Sequence, residues 1–274
     1  MAGLLNIAVV LLPLGYLIAT VAYGLLFYLR SETAGRWAAP IFRGTLLFHL
    51  AYLVALSLRY RQLPIATVSQ ALTVTAFAVA VVYAFLEWRG RERTTGVWMV
   101  GLVLIFQVLS ALLPGPEPKY RDVFHNPLFA THVVLALLGY AAFAIAAGYG
   151  YLFLRLYREL KRRRFATFFG RLPPLEVLER MMASGLIVGF VALTGAVAAG
   201  IVWVEELHPG SWWHDPMILF TLGTWVLYGL ALALRSLRRW QGRQTAYASI
   251  AGLTTIIVTL IAVNLLFSRF HEFR

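Results

Sequence analysis

The chain contains no cysteine, which excludes disulfides, thiolate ligation of a metal and redox chemistry by its own side chains. Charge is scarce as well. Only 13% of residues are Asp, Glu, Lys or Arg, against about 25% in a soluble domain. Acids are the scarcer sign, 12 against 24 Lys and Arg, for a net charge of +12. In a soluble protein that excess would point to nucleic acid; in a membrane protein it first reflects the retention of Lys and Arg on the cytoplasmic side. No Gly-rich phosphate loop, His-Glu-x-x-His or nucleophile elbow occurs. The N-terminus lacks a basic n-region and a small-residue cleavage site, so the first hydrophobic run is expected to stay on the protein.

What fills the chain instead is apolar: 60% of residues are hydrophobic and the mean hydropathy is +0.74. Eight runs are long enough to cross a bilayer, at about 3–28, 38–58, 65–87, 96–113, 129–156, 183–204, 217–237 and 246–268. Continuous apolar runs without period-2 alternation must satisfy their backbone internally, as helices. The expected fold is an all-α integral membrane bundle of eight transmembrane helices, a single polytopic domain over 1–274. The fourth run is the shortest, and is read as less tilted or partly re-entrant.

Orientation follows from the cations. Of the 24 Lys and Arg, six (Arg59, Arg61, Lys119, Arg121, Arg269 and Arg274) fall on one side of the alternating runs, which leaves 18 on the other. The basic side is expected in the cytoplasm and both termini outside. The longest cytoplasmic segment, 157–182, carries Lys161-Arg-Arg-Arg164. After Pro173-Pro174, Leu175, Leu178 and Met182 share a helical face opposite Glu176 and Arg180. This reads as a headgroup-level helix held by anionic lipid, or as a dock for a cytoplasmic partner. Gly185-x-x-x-Gly189 and Ala196-x-x-x-Gly200 are expected to let the sixth helix pack closely.

Between the sixth and seventh runs lies Trp203-Val-Glu-Glu-Leu-His-Pro-Gly-Ser-Trp-Trp-His-Asp-Pro216. Pro209-Gly210 supplies a turn, but a turn does not need three tryptophans. Two readings stand: an interfacial aromatic belt, or a flat aromatic platform for a flat apolar ligand. The histidines point the same way. His125, His132, His208, His214 and His271 all fall on the external side, and His49 lies within the second run. Neutral imidazole is a common metal ligand, for haem iron as well as for zinc or copper. Only the first has use for a tryptophan shelf.

These residues resemble the CcsA/CcmC/HemX cytochrome c assembly group, membrane haem handlers marked by a Trp-rich external loop ending in Trp-Asp and flanked by two external histidines. Trp203, Glu206, Trp212, Asp215, Pro216 and Trp225 stand where that pattern puts them. His132 and His271 resemble the flanking histidines, and His49, ahead of Pro64, resembles the intramembrane one. Gln70 replaces a glutamate and Ala233 a second intramembrane histidine, a degenerate form similar to HemX-like members. The resemblance implies a cofactor, haem b, held on the external face for delivery in cytochrome c biogenesis. His132 and His271 would ligate the iron, Trp203, Trp212, Trp213 and Asp215 would build the platform, and His49 would be a further haem-binding residue. It also implies the bacterial inner membrane, a ResB/CcsB-type membrane partner and an apocytochrome c, with no nucleic acid. The chain would serve a haem lyase system without catalysing alone. The alternative is a HemX-like regulator of tetrapyrrole synthesis acting through a cytoplasmic partner.

Overall fold

The computed structural model describes residues 2–113, 122–163, 168–207, 216–237, 240 and 242–267. Among the described residues there are eight α-helices and no strand: α1 (Ala2–Leu29), α2 (Glu32–Tyr60), α3 (Val68–Gly90), α4 (Gly96–Leu112), α5 (Pro127–Lys161), α6 (Leu175–Leu207), α7 (Pro216–Ser236) and α8 (Arg243–Phe267), with one 3-10 turn at Asp122–His125. Six of them (α1, α2, α3, α5, α6 and α7) are long and apolar enough to span a bilayer, so the chain is a multi-pass membrane protein. At 17 residues α4 is shorter, as its run anticipated.

The segment before the sixth run departs from expectation. The stretch after Pro173-Pro174 is continuous with the sixth run: α6 starts at Leu175, ahead of the expected 183, and continues to Leu207. No proline interrupts 175–207, and Glu176, Leu178, Glu179, Arg180, Met181 and Met182 are good helix formers. The amphipathic face is real, but Leu178 and Met182 are buried in protein.

By their contacts the residues form two compact units, Met1–Asn126 with Arg155–Val177, and Pro127–Leu154 with Leu178–Arg274. In the first, α1 packs on α2 and α4, and α3 on α2 and α4, around Tyr16, Tyr23, Phe27, Phe42 and Tyr83, all fully buried. Ser31 and Thr67 cap α2 and α3 through their hydroxyls, accepting from Ala34 N and Gln70 N. Ser69 and Ser110 each donate to the other's carbonyl, at 2.9 and 2.8 Å, tying α3 to α4. Gly96 lies under the Tyr23 ring, where a Cβ would sit 2.2 Å from ring carbon.

Four helix ends place an arginine in the left-handed region, Arg30, Arg61, Arg91 and Arg163, with φ of 50–52°. Glycine is usual at such positions. A guanidinium beside the negative end of a helix dipole offsets part of the strain, by about 0.3–1 kcal/mol.

In the second unit α5 and α6 meet over small residues. A Cβ on Gly139 would lie 3.2 Å from Gly189 O, and one on Gly185 would lie 3.2 Å from Ala142 O. The Gly185-x-x-x-Gly189 spacing thus acts as expected. The core there contains Phe143, Leu186, Leu193 and Tyr228, with Phe143 and Tyr228 stacked at 3.7 Å.

Candidate functional site

His132 stands on the second turn of α5, a helix that starts with Pro127, a residue preorganised for the first helical position. Its Nδ1 lies 2.8 Å from the Ala196 carbonyl oxygen on α6. A carbonyl only accepts, so Nδ1 carries the proton and Nε2 keeps its lone pair. Metal-binding histidines are typically oriented in this way. The bond requires a close approach of the two helices, and Gly200 allows it: a Cβ there would fall 2.6 Å from His132 Nδ1. The Ala196-x-x-x-Gly200 pair therefore does more than pack a helix. Ala196 supplies the acceptor and Gly200 the room.

The half-buried His132 lines a cavity of about 140 Å³ together with Ala136, Tyr140, Gly200, Trp203 and Thr221. Trp203 comes from the last turns of α6 and packs against Phe129, with ring centroids 4.9 Å apart. Trp225 is anchored separately. Its Nε1–H donates to Thr194 Oγ1 at 2.8 Å and its ring stacks on Phe190. The structure thus brings His132 and Trp203 to one cavity. Trp212, Trp213, Asp215 and His271, with His208 and His214, lie outside the described residues. A single imidazole with a fixed tautomer, beside an apolar wall and an indole, fits an axial ligand for haem.

His49 sits differently. It is fully buried in the first unit, and both ring nitrogens have partners. Nδ1 is 2.9 Å from the Tyr16 hydroxyl, and Nε2 is 2.9 Å from Thr73 Oγ1. Thr73 in turn donates to Gln107 Oε1 at 2.9 Å. Because the Thr73 proton points at Gln107, Thr73 accepts from His49 Nε2–H, and Nδ1 accepts from Tyr16. The four side chains form one directed hydrogen-bond chain across α1, α2, α3 and α4. Tyr16 and Phe77 meet the imidazole edge-on, at 5.7 and 5.3 Å. As it stands, no lone pair on His49 is free for iron.

Gln70, the replacement for a glutamate, is buried and accepts from Ala66 N through Oε1 at 3.0 Å, closing the turn ahead of α3. His125 donates to the Arg61 carbonyl at the end of α2. Among the described residues no three His, Asp or Glu converge as a metal-ligand set. Sequence reasoning missed Tyr16, Thr73 and Gln107, which lie 33, 24 and 58 positions from His49 in the chain, beyond any local pattern. Gly200 was visible as a packing glycine, but not as the residue that seats an imidazole.

The family model for "Cytochrome C assembly protein" matches residues 37–271. A curated relative, "Cytochrome c biogenesis protein CcsA" of Synechococcus sp. (strain RCC307), is 38% identical over 99 residues, 36% of this chain and 32% of the relative. The protein of that name from Parasynechococcus marenigrum (strain WH8102) is 36% identical over 103 residues, 38% of this chain and 34% of the relative. The one from Heterosigma akashiwo (strain NIES-293 / 8280G21-1) is 22% identical over 249 residues, 78% and 77% of the two chains. The alignments with the two cyanobacterial relatives span about a third of those proteins' length. With that model matching 37–271 of its 274 residues, the chain belongs to the cytochrome c assembly protein family.

Proposed function

We propose that this protein holds haem b on the external face of the bacterial inner membrane and presents it for cytochrome c assembly. The observation that carries the reading is the tautomer of His132: Nδ1–H is committed to the Ala196 carbonyl, so Nε2 is the ring nitrogen left to ligate. In this reading His132 supplies one axial ligand and His271 the other. Trp203, Trp212 and Trp213 cover the macrocycle, with large apolar burial, and Asp215 before Pro216 holds the loop turn. When bound, haem supplies the vinyl groups to which the thiols of an apocytochrome c add. The chain positions it and contributes no nucleophile, consistent with its having no cysteine. A ResB/CcsB-type membrane partner completes the machinery.

The same reading puts both termini and the 203–216 loop outside, with eight helices crossing the bilayer, on the cation distribution already described. Since the native chain lacks cysteine, Ser211→Cys and Ser236→Cys form a clean pair. An impermeant maleimide should label the first in intact cells and spare the second. His49 is a second candidate ligand, reached only if Tyr16 or Thr73 releases a ring nitrogen. With Ala233 in place of another intramembrane histidine, no low-spin bis-histidine haem is expected there.

The test is an absorption spectrum of the purified protein followed by cytochrome c maturation in cells. A Soret band that depends on His132, with maturation lost in the His132→Gly/His271→Gly double variant, is the expected result. Absence of a Soret band would defeat the reading. Normal maturation with altered tetrapyrrole-enzyme levels would transfer it to a HemX-like regulator.

A further inference from the structure

The α3–α4 connection carries a feature unrelated to either histidine. A cavity of about 650 Å³ is lined by Arg43, Glu87, Trp88, Arg89, Arg91 and Arg93. Four arginines and one glutamate line it, and the glutamate's carboxylate is already engaged. Glu87 is buried at the base, accepting from the Tyr23 hydroxyl and pairing with Arg43 at 3.5 Å. The nearby Glu92 turns inward on its own loop, accepting from Thr94 N and Oγ1 at 2.8 and 2.7 Å. The pocket therefore keeps an excess of three positive charges, four arginines less one glutamate. Arg91 is fixed by its left-handed backbone and by its N–H to the Glu87 carbonyl at 2.8 Å. Arg93 reaches the Gly35 carbonyl at 3.4 Å.

We propose that this pocket seats the phosphodiester of an anionic glycerophospholipid. Guanidinium forks match phosphate oxygens in geometry and charge. Two observations favour a lipid over a soluble phosphate. The pocket closes the end of α3, a helix of membrane-spanning length and hydropathy. Trp88 on its rim is 69% exposed and Phe85, one turn earlier on the same face, is 39% exposed, with rings 6.2 Å apart. Exposed tryptophan marks headgroup depth, and the Phe85–Trp88 face offers an apolar track for an acyl chain leading from the arginines.

The test uses the full-length protein in detergent, incubated with phosphatidylglycerol or phosphatidylcholine, with retained lipid counted by native mass spectrometry. The wild type should retain phosphatidylglycerol over phosphatidylcholine by at least fivefold. Each juxtamembrane arginine contributes about fivefold, so Arg89→Gln with Arg91→Gly should reduce retention about twenty-five-fold. Glycine keeps the left-handed backbone at position 91, and circular dichroism checks that the helices persist. If the double variant fails to fold, Arg89→Gln alone should still cost about fivefold. Equal retention of the two lipids, or unchanged retention in the variants, overturns the proposal. Displacement of phosphatidylglycerol by millimolar inorganic phosphate also overturns it, by making the pocket a free-phosphate site.

Discussion

The two described histidines placed in the candidate set are both held by hydrogen bonds, yet they differ in what they leave open. His49 has spent both nitrogens, on Tyr16 and Thr73, and is sealed from solvent. His132 has spent one, on a backbone carbonyl, and lines a cavity. The first arrangement costs nothing further to maintain and gains nothing by meeting iron, because a ligand would have to break an existing bond. The second is preorganised. An imidazole within a membrane protein is therefore not a ligand by virtue of its depth; the count of committed nitrogens decides.

The largest effect expected from this contrast is in haem content. His132→Gly should lower the haem-to-protein ratio of the purified protein at least tenfold, whereas His49→Gly should leave it within about twofold, measured by pyridine haemochrome. Next comes Gly200→Val. A Cβ already falls 2.6 Å from His132 Nδ1, so the ring must rotate off Ala196. Loss of such an orienting partner typically costs 10–100-fold in metal affinity, and a matching fall in haem retention is expected while His132 itself is still present. Unchanged haem binding in Gly200→Val would show that the Ala196 bond does not aim the ligand.

How much of this was legible beforehand depends on the range over which each signal acts. The helices announced themselves, since twenty apolar residues in a row leave the backbone no other solution in lipid. The extension of α6 to Leu175 did not, because the amphipathic pattern at Leu178 and Met182 is the same whether that face meets lipid or protein. His132 and Trp203, singled out in the sequence by the family resemblance, line one cavity in the structure. The closed state of His49 was not legible. It depends on Tyr16, Thr73 and Gln107, which only the packing of α1 to α4 brings together. Likewise Arg43, Arg89, Arg91 and Arg93 count in the sequence only towards the basic side, until packing adds Glu87, bonded to Tyr23, to the same pocket.

Two smaller effects sharpen the comparison. Thr73→Val removes the acceptor of His49 Nε2–H and the donor to Gln107. Hydrogen bonds between membrane helices average about 0.6 kcal/mol, so a loss of about 1 kcal/mol is expected, seen as a lower thermal midpoint with no change in the haem spectrum. A changed spectrum would mean that the His49 chain communicates with haem. Of similar size is Trp203→Ala. Losing an aromatic contact beyond its buried area costs about 0.5–1.5 kcal/mol, so haem retention should fall about two- to tenfold with the spin state preserved. A switch to high spin would instead make Trp203 part of the ligand geometry.

The claim that His132 donates through Nε2 is tested most directly by the optical spectrum of His132→Gly during an imidazole titration. Removal of the side chain leaves the α5–α6 cleft beside Ala196 and Gly200 open to a free imidazole in the same place. The account predicts that haem added to the variant is high-spin or weakly bound, and that imidazole restores the low-spin spectrum, with the same titration leaving His49→Gly unaltered. A low-spin spectrum in His132→Gly without imidazole, abolished by adding His49→Gly, would contradict it.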